Sequence, residues 1–145
     1  MAQEDKTLLE SFSVYITYTP LEGEVALDSL IPQGAEIYAV PADHRTDPKR
    51  EAAAAISVAL DRTTCVLTPG TRFDLSGTRH GRGGGWYDRF LAEVPAEWLR
   101  IGLCYPEQLS PEPLVREPWD QPVDYIGVVN RETNEVEWNK TNARL

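Results

Sequence analysis

Six of the ten glycines of this 145-residue chain fall between Gly70 and Gly85, in the stretch running from Pro69 to Arg89 (PGTRFDLSGTRHGRGGGWYDR). Glycine weakens the interior of a helix or a strand, because it has the most backbone freedom to lose. The stretch must therefore be a long loop, and the rest of the chain has to be built on either side of it. It opens on an apolar, β-branched run, 63–68, and closes on a helix-like pattern that begins near Trp86. Without a Cβ, a glycine lets backbone N–H groups approach a ligand closely. Where such a loop enters a helix, the free N–H groups and the helix dipole together favour an anion. Arg72, Arg79 and Arg82 lie within the stretch and Arg89 at its end, against only Asp74 and Asp88. Guanidinium groups match phosphate oxygens in planar, charge-assisted pairs. These residues read as a loop that cradles phosphate. It is not the G-x-x-x-x-G-K-[ST] loop, since no lysine occurs between Lys49 and Lys140.

The flanking chain alternates strand and helix patterns. Residues 12–18 have high β propensity and predict a first strand, and 35–40 a second, stopped by Pro41. Between them, residues 24–31 predict a short helix with Leu27, Leu30 and Ile31 on one face and Pro32 and Gly34 ending it. Asp47-Pro48 supplies an N-cap and a first-turn proline for a helix that buries Ala52, Ala55, Ile56, Ala59 and Leu60. Residues 63–68 predict a third strand. After the glycine loop, Tyr87, Phe90, Leu91 and Val94 form the buried face of a helix that Pro95 ends. Residues 99–105 and 125–129 predict two more strands, and 133–145 a short terminal strand or a tail. Strands separated by helices predict a single α/β domain, 1–145, with a largely parallel sheet and helices on both faces. In such sheets ligands bind beyond the carboxyl ends of the strands, where the glycine loop would lie.

A net charge of −9 argues against nucleic acid or an anionic membrane as partner, since both require a basic face. No apolar run approaches the ~20 residues needed to span a bilayer, and the polar start, 1–6, is unlike a targeting peptide. Cys65 and Cys104 sit in separate apolar runs without metal-ligand spacing, which predicts buried free thiols in a reducing, cytoplasmic compartment. His44 reads as a loop residue.

Pro69-Gly70, Phe73-Asp74, Gly77, Arg79, the alternating Gly81, Gly83 and Gly85, and Trp86-Tyr87-Asp88-Arg89 together resemble the signature of the 5-formyltetrahydrofolate cyclo-ligase family, P-G-x-x-F-D-x-x-G-x-R-L-G-x-G-x-G-Y-Y-D-R. The resemblance continues in Ile101-Gly102-Leu103 with Gln108, in Trp119-Asp120 and Asp124, and in Tyr18-x-Pro20 with Gly23-Glu24-Val25. His80, Trp86, Trp119 and Leu27 stand where the family pattern has leucine, tyrosine, histidine and threonine.

The resemblance implies ATP-dependent closure of 5-formyltetrahydrofolate to 5,10-methenyltetrahydrofolate by a monomer acting on small molecules. In that family ATP phosphorylates the formyl oxygen, and the neighbouring nitrogen attacks the activated carbon and expels phosphate. It assigns catalysis to Arg79 and Tyr87, and ATP to Arg79, Gly81, Arg82, Gly83, Gly84, Gly85, Trp86 and Tyr87. Glu24, Trp86 and Tyr87 would hold the folate, and Asp88 and Asp120 would hold Mg²⁺. Such chemistry rests on positioning and on neutralising oxygen charge.

Read as residues alone, several positions have plainer roles. Asp88 suits a first helical turn, Asp74 is a turn former, Tyr87 belongs to the core, Asp120 is a loop carboxylate, Glu24 is solvated and Arg89 makes a surface ion pair. The family's basic N-terminal helix is represented before the first strand only by Lys6, which implies an abbreviated member with weaker ATP affinity or a non-catalytic nucleotide- or folate-binding relative.

Overall fold

The computed structural model describes residues 8–43 and 45–144, so Lys6 and His44 lie outside the described residues. Six strands form one sheet in the order β2 (Glu36–Ala39), β1 (Val14–Thr17), β3 (Thr64–Thr68), β6 (Leu99–Cys104), β7 (Tyr125–Val129) and β8 (Val136–Lys140). All pairs are parallel except β7–β8, so the predicted terminal strand forms and closes the sheet antiparallel. The first strand is shorter than its propensity suggests, because pairing with β2 and β3 extends only over Val14–Thr17. A two-stranded hairpin, β4 (Arg72–Phe73) and β5 (Arg79–His80), folds within the glycine-rich stretch.

Helix α1 (Pro48–Ala59) begins as expected, with the Asp47 carboxylate accepting from Lys49 N and proline in the first turn. It buries Ala52, Ala55 and Ala59. Leu60 does not join that face: it is the C-cap at φ 46° and is 71% exposed. The three alanines let α1 lie close to the sheet, and a left-handed cap turns the next residue outward. Helix α2 (Trp86–Glu93) buries Tyr87, Phe90 and Leu91, with Val94 behind them.

The helices pack against each other and so share one face of the sheet. Arg100 Nη2 on β6 donates to Leu91 O of α2 at 2.9 Å, which identifies that face. Phe73 of the hairpin packs beside it with Cys104, Val123 and Ile126. The opposite face is covered by irregular chain in place of the expected helix at 24–31. Val25 and Leu27 are buried while Ala26 and Asp28 are exposed, an alternation that belongs to extended chain rather than to a helix. The Tyr18 hydroxyl takes the Val25 carbonyl at 3.0 Å, and Leu27–Leu30 forms a single turn. Eight residues without a cap are too few to hold a helix against such competition.

Candidate active site

Chain order and sheet order diverge at β1, from which the chain moves out to β2 and then back to β3. Reversals of this kind open a crevice beyond the carboxyl ends of parallel strands. Here it is a cleft of ≈ 1050 Å³ lined by Tyr18 and Thr19 after β1, Pro41 to Asp43 after β2 and Pro69-Gly70 after β3, together with the glycine turn and the start of α2. Every residue assigned a role from the sequence lines it: Glu24, Arg79, Gly81, Arg82, Gly83, Gly84, Gly85, Trp86, Tyr87, Asp88 and Asp120.

Arg79 is buried at the floor, only 7% exposed. Its Nη1 donates to Pro69 O at 2.7 Å, its Nη2 lies 3.9 Å from Asp88 Oδ1, and its guanidinium sits 5.5 Å over the Tyr87 ring. Burial pulls its pKa down, and Asp88, Tyr87, Asp120 and Glu24 oppose that pull. A Cβ on Gly81 would lie 2.9 Å from Arg79 Nη1, so this glycine makes room for the arginine. Gly83, Gly84 and Gly85 serve a different purpose. They follow one another at φ 93°, 79° and 67°, a left-handed run that side chains resist. That run delivers the chain into α2 with Gly85 as N-cap and no side chain on the first-turn amides. Arg79 Nε and Tyr87 Oη are buried without a hydrogen-bond partner among the described residues. Buried polar atoms are seldom left so, and both belong to residues that line the cleft.

Asp88 leaves the first turn of α2 toward Asp120. Its Oδ1 accepts from Gln121 N at 2.9 Å, which holds the two acidic segments together. Burial raises the Asp88 pKa; the Gln121 bond and Arg79 lower it, and the Asp120 carboxylate raises it further. Asp120 is itself fixed in a tight turn, accepting from Glu117 N at 2.9 Å. Two neighbouring carboxylates that repel each other, beside open amides, make an oxygen donor set suited to Mg²⁺, which commonly takes one or two carboxylates and completes its shell with phosphates and water. Among the described residues no group of three or more His, Cys, Asp or Glu is placed to hold a metal ion, so these two carboxylates are the protein donors on offer.

On the other wall, Trp86 stacks on Phe90 at 5.3 Å and donates from Nε1 to Thr46 Oγ1 at 3.1 Å. Tyr87 is mostly buried, as its reading as a core residue expects, and it still borders the cleft. Glu24 is not the solvated residue that its plain reading describes, because its side chain is only 5% exposed. Its Oε1 accepts from Leu21 N at 2.9 Å and its Oε2 from Arg82 Nε at 3.3 Å. Arg82 also donates to Glu22 O at 2.9 Å, so it ties the glycine turn to the 21–24 loop. Gln108 supports that loop by donating to Gly23 O at 3.1 Å while accepting from Tyr105 N at 2.8 Å. Arg89, expected in a surface ion pair, donates instead to Gly84 O at 2.7 Å and braces the turn. Asp74 is the turn former expected of it, accepting from Ser76 N and Thr78 N.

Tyr18, Thr46 and Trp119 also line the cleft though no sequence pattern assigned them a part in the site, and so does Arg89, expected only in a surface ion pair. Tyr18 and Trp119 stood in segments that carried the resemblance, which was the available signal. Thr46 enters only through the fold, which brings the start of α1 against Trp86.

A sequence model described as the 5-formyltetrahydrofolate cyclo-ligase family matches residues 7–129. A 5-formyltetrahydrofolate cyclo-ligase of Mycoplasma genitalium is 34% identical over 62 residues, 43% of this chain and 36% of that protein. One of Haemophilus influenzae is 38% identical over 65 residues, 44% of this chain and 34% of that protein. The chain thus aligns with about a third of the length of these curated relatives. A solved structure of a 5,10-methenyltetrahydrofolate synthetase from Mycoplasma pneumoniae superposes with a TM-score of 0.58 at 18% identity, covering 84% of this chain and 80% of that one. A likeness at that identity speaks for a shared fold.

Proposed function

The chain belongs to the 5-formyltetrahydrofolate cyclo-ligase family, and from that membership we propose that it converts 5-formyltetrahydrofolate to 5,10-methenyltetrahydrofolate at the expense of ATP. One observation carries the reading. A buried arginine, two neighbouring carboxylates and an uncapped helix start converge at one end of a cleft whose other wall is aromatic and bears a buried glutamate.

The triphosphate lies along the amides of Gly81, Gly83, Gly84 and Gly85, with Arg79 beneath it and Arg82 at its edge. Asp88 and Asp120 are the residues that would hold Mg²⁺, which when bound would neutralise charge on phosphate oxygens. The reduced folate lies against Trp86 and Tyr87, and Glu24 accepts from its pterin N–H groups. Arg79 and Tyr87 face the reacting atoms, and their unpartnered Nε and Oη supply donors that a ligand would engage. The γ-phosphoryl group passes to the formyl oxygen, leaving ADP. The neighbouring folate nitrogen then forms a bond to the formyl carbon and releases its proton, the carbon–oxygen bond breaks, and phosphate departs with the oxygen. The arginine, the amides and the closeness of the two substrates supply charge neutralisation and alignment, which this chemistry chiefly needs.

Arg82 Nε pairs with Glu24 Oε2 at 3.3 Å, so phosphates that draw Arg82 toward them also release Glu24 for the pterin. The buried, free Cys65 and Cys104 suit a reducing, cytoplasmic compartment, and no described helix is long and apolar enough to cross a membrane. The test is direct: the protein is mixed with Mg-ATP and 5-formyltetrahydrofolate, and ADP and the methenyl product are followed together. Equal yields of the two, with no ADP formed when folate is omitted, are expected. No ADP release at saturating ATP and folate sinks the reading.

A further inference from the structure

The four tryptophans are treated very differently by the fold. Trp98 and Trp138 are buried and Trp86 is half-buried, whereas Trp119 is 64% exposed and belongs to no core cluster. A large aromatic side chain left in solvent at the rim of a cleft has no packing reason to be there. Its backbone is nevertheless held firmly. Asp120 N donates to Glu117 O at 3.0 Å, Glu117 N to Asp120 Oδ2 at 2.9 Å, and Gln121 N to Asp88 Oδ1 at 2.9 Å. These bonds set the 117–121 turn against the first turn of α2.

Between that turn and α2 lies a second hollow of ≈ 570 Å³, bordered by Trp119, Gln121, Gly84, Gly85, Asp88, Arg89 and Ala92. It shares the glycine turn, Asp88, Arg89 and Trp119 with the main cleft, but none of Tyr18, Glu24, Thr46 or Trp86. The glycine turn therefore has a flat aromatic surface on either side. One is the Trp86 wall with its buried glutamate. The other is Trp119, beside a hollow also bordered by the small Ala92.

We propose that this hollow is the nucleoside subsite, and that Trp119 stacks on the purine base of the bound nucleoside triphosphate. The inference rests on the ATP-dependent reading above and deepens it. A triphosphate seated on the shared turn, next to Asp88 and Asp120, can extend into either of the two hollows that share that turn. The Trp86–Glu24 side offers a carboxylate and a half-buried ring that suit a pterin. The Trp119 side offers an open π surface, which stacks on a base without requiring matched hydrogen bonds. Two flat substrates thus meet at one phosphate turn from opposite sides, and the γ-phosphoryl group ends up between them.

Calorimetry of Mg-ATP, Mg-tripolyphosphate and 5-formyltetrahydrofolate, on the wild type and on Trp119→Ala and Trp119→Phe, tests the assignment. Tripolyphosphate carries the phosphates without a base. Trp119→Ala should weaken ATP about tenfold or more, as loss of a base stack does, and leave tripolyphosphate unchanged. Trp119→Phe should recover most of the ATP affinity. Trp119 is largely exposed, so its truncation leaves the core intact. Unchanged ATP affinity in Trp119→Ala overturns the inference. So does an equal loss of ATP and tripolyphosphate, which would mean that the turn bearing Asp120 has shifted, and so does a loss confined to 5-formyltetrahydrofolate. A wild type that binds tripolyphosphate but gains nothing from the base refutes the subsite alone. A wild type that binds neither ligand removes the ATP reading itself, and the inference with it.

Discussion

Arg79 is held from one side by Pro69 O and faced from the other by Asp88, so its planar fork is oriented before any ligand arrives. A lysine at this position has a point charge and no second arm, and it cannot keep the backbone bond while reaching toward the glycine turn. Arg79→Lys is therefore expected to bind Mg-ATP more weakly by ~1.5–3 kcal/mol, as loss of a charge-assisted contact does. Calorimetry on a folded variant checks this, and wild-type affinity would show that the guanidinium is not a phosphate ligand. Arg82 makes a different prediction, because its partner Glu24 is assigned to the other substrate. ATP should raise folate affinity in the wild type, whereas Arg82→Gln should bind folate equally well with and without a non-hydrolysable ATP analogue. Fluorescence titration of folate under both conditions measures the difference. Persistence of the coupling in the variant would place its origin elsewhere.

At the scale of elements, the hairpin β4–β5 depends on one carboxylate. Asp74 is 2% exposed, and its Oδ1 accepts from Ser76 N at 2.9 Å, Ser76 Oγ at 2.6 Å and Thr78 N at 3.1 Å. Its Oδ2 accepts from Leu114 N at 2.7 Å, which ties the 110–123 chain to the hairpin. Burial by itself would raise the Asp74 pKa, but the bonds from Ser76, Leu114 and Thr78 outweigh it and hold the carboxyl below its usual range. A depressed folded-state value means that this contribution is complete above the ordinary aspartate pKa of about 3.9 and is lost as pH falls through the lower folded value. Asp74→Asn leaves one acceptor and turns an amide donor toward a backbone N–H. A loss of ~1–3 kcal/mol at neutral pH is expected, narrowing as pH falls below about 4. Urea unfolding at the two pH values tests it, and a difference independent of pH would remove the carboxylate from the account. Helix α1 offers a simpler check: Asp47→Ala removes the bond to Lys49 N and should cost ~1 kcal/mol in the same assay.

For the whole molecule, the sheet separates the two thiols. Cys65 on β3 aligns with Leu99 of β6, one residue out of phase with Gly102 and Cys104, so the cysteines point to opposite faces. Both are fully buried; burial raises the Cys65 thiol pKa strongly and that of Cys104 to about 12. Neither should react with an aromatic disulfide reagent in the native state, and both should react in denaturant. Oxidants should leave the melting temperature unchanged, since no cross-link can form through the sheet. A thiol that titrates rapidly in the native protein would contradict this packing. Mg-ATP, by contrast, should raise the melting temperature in proportion to the logarithm of its concentration, because it binds only the folded cleft.

Much of this was legible in the order of residues, and for local reasons. The helix at Pro48 follows from an N-cap and a proline whose geometry involves only their neighbours. The parallel strands follow from β-branched runs long enough to be buried on both sides. The glycine turn follows from a backbone conformation that only glycine adopts freely, and that conformation delivers the chain to an uncapped helix start. The chain between Gly23 and Pro32 reads as a helix because its apolar spacing fits a helix as well as an extended segment, which is what it forms. Tyr18, seven residues before Val25 and held on the sheet side of it, decided the matter by taking its carbonyl. Leu60 fits the buried face by spacing and yet leaves it, because a helix pattern does not announce the positive-φ residue that ends it. The pairing of Arg82 with Glu24, the bond from Gln121 to Asp88 and the hollow under Trp119 join residues far apart in the chain. Local composition can supply donors, acceptors and rings. Which of them neutralise one another, and which are left facing a ligand, depends on distances that exist only once the sheet has ordered its strands.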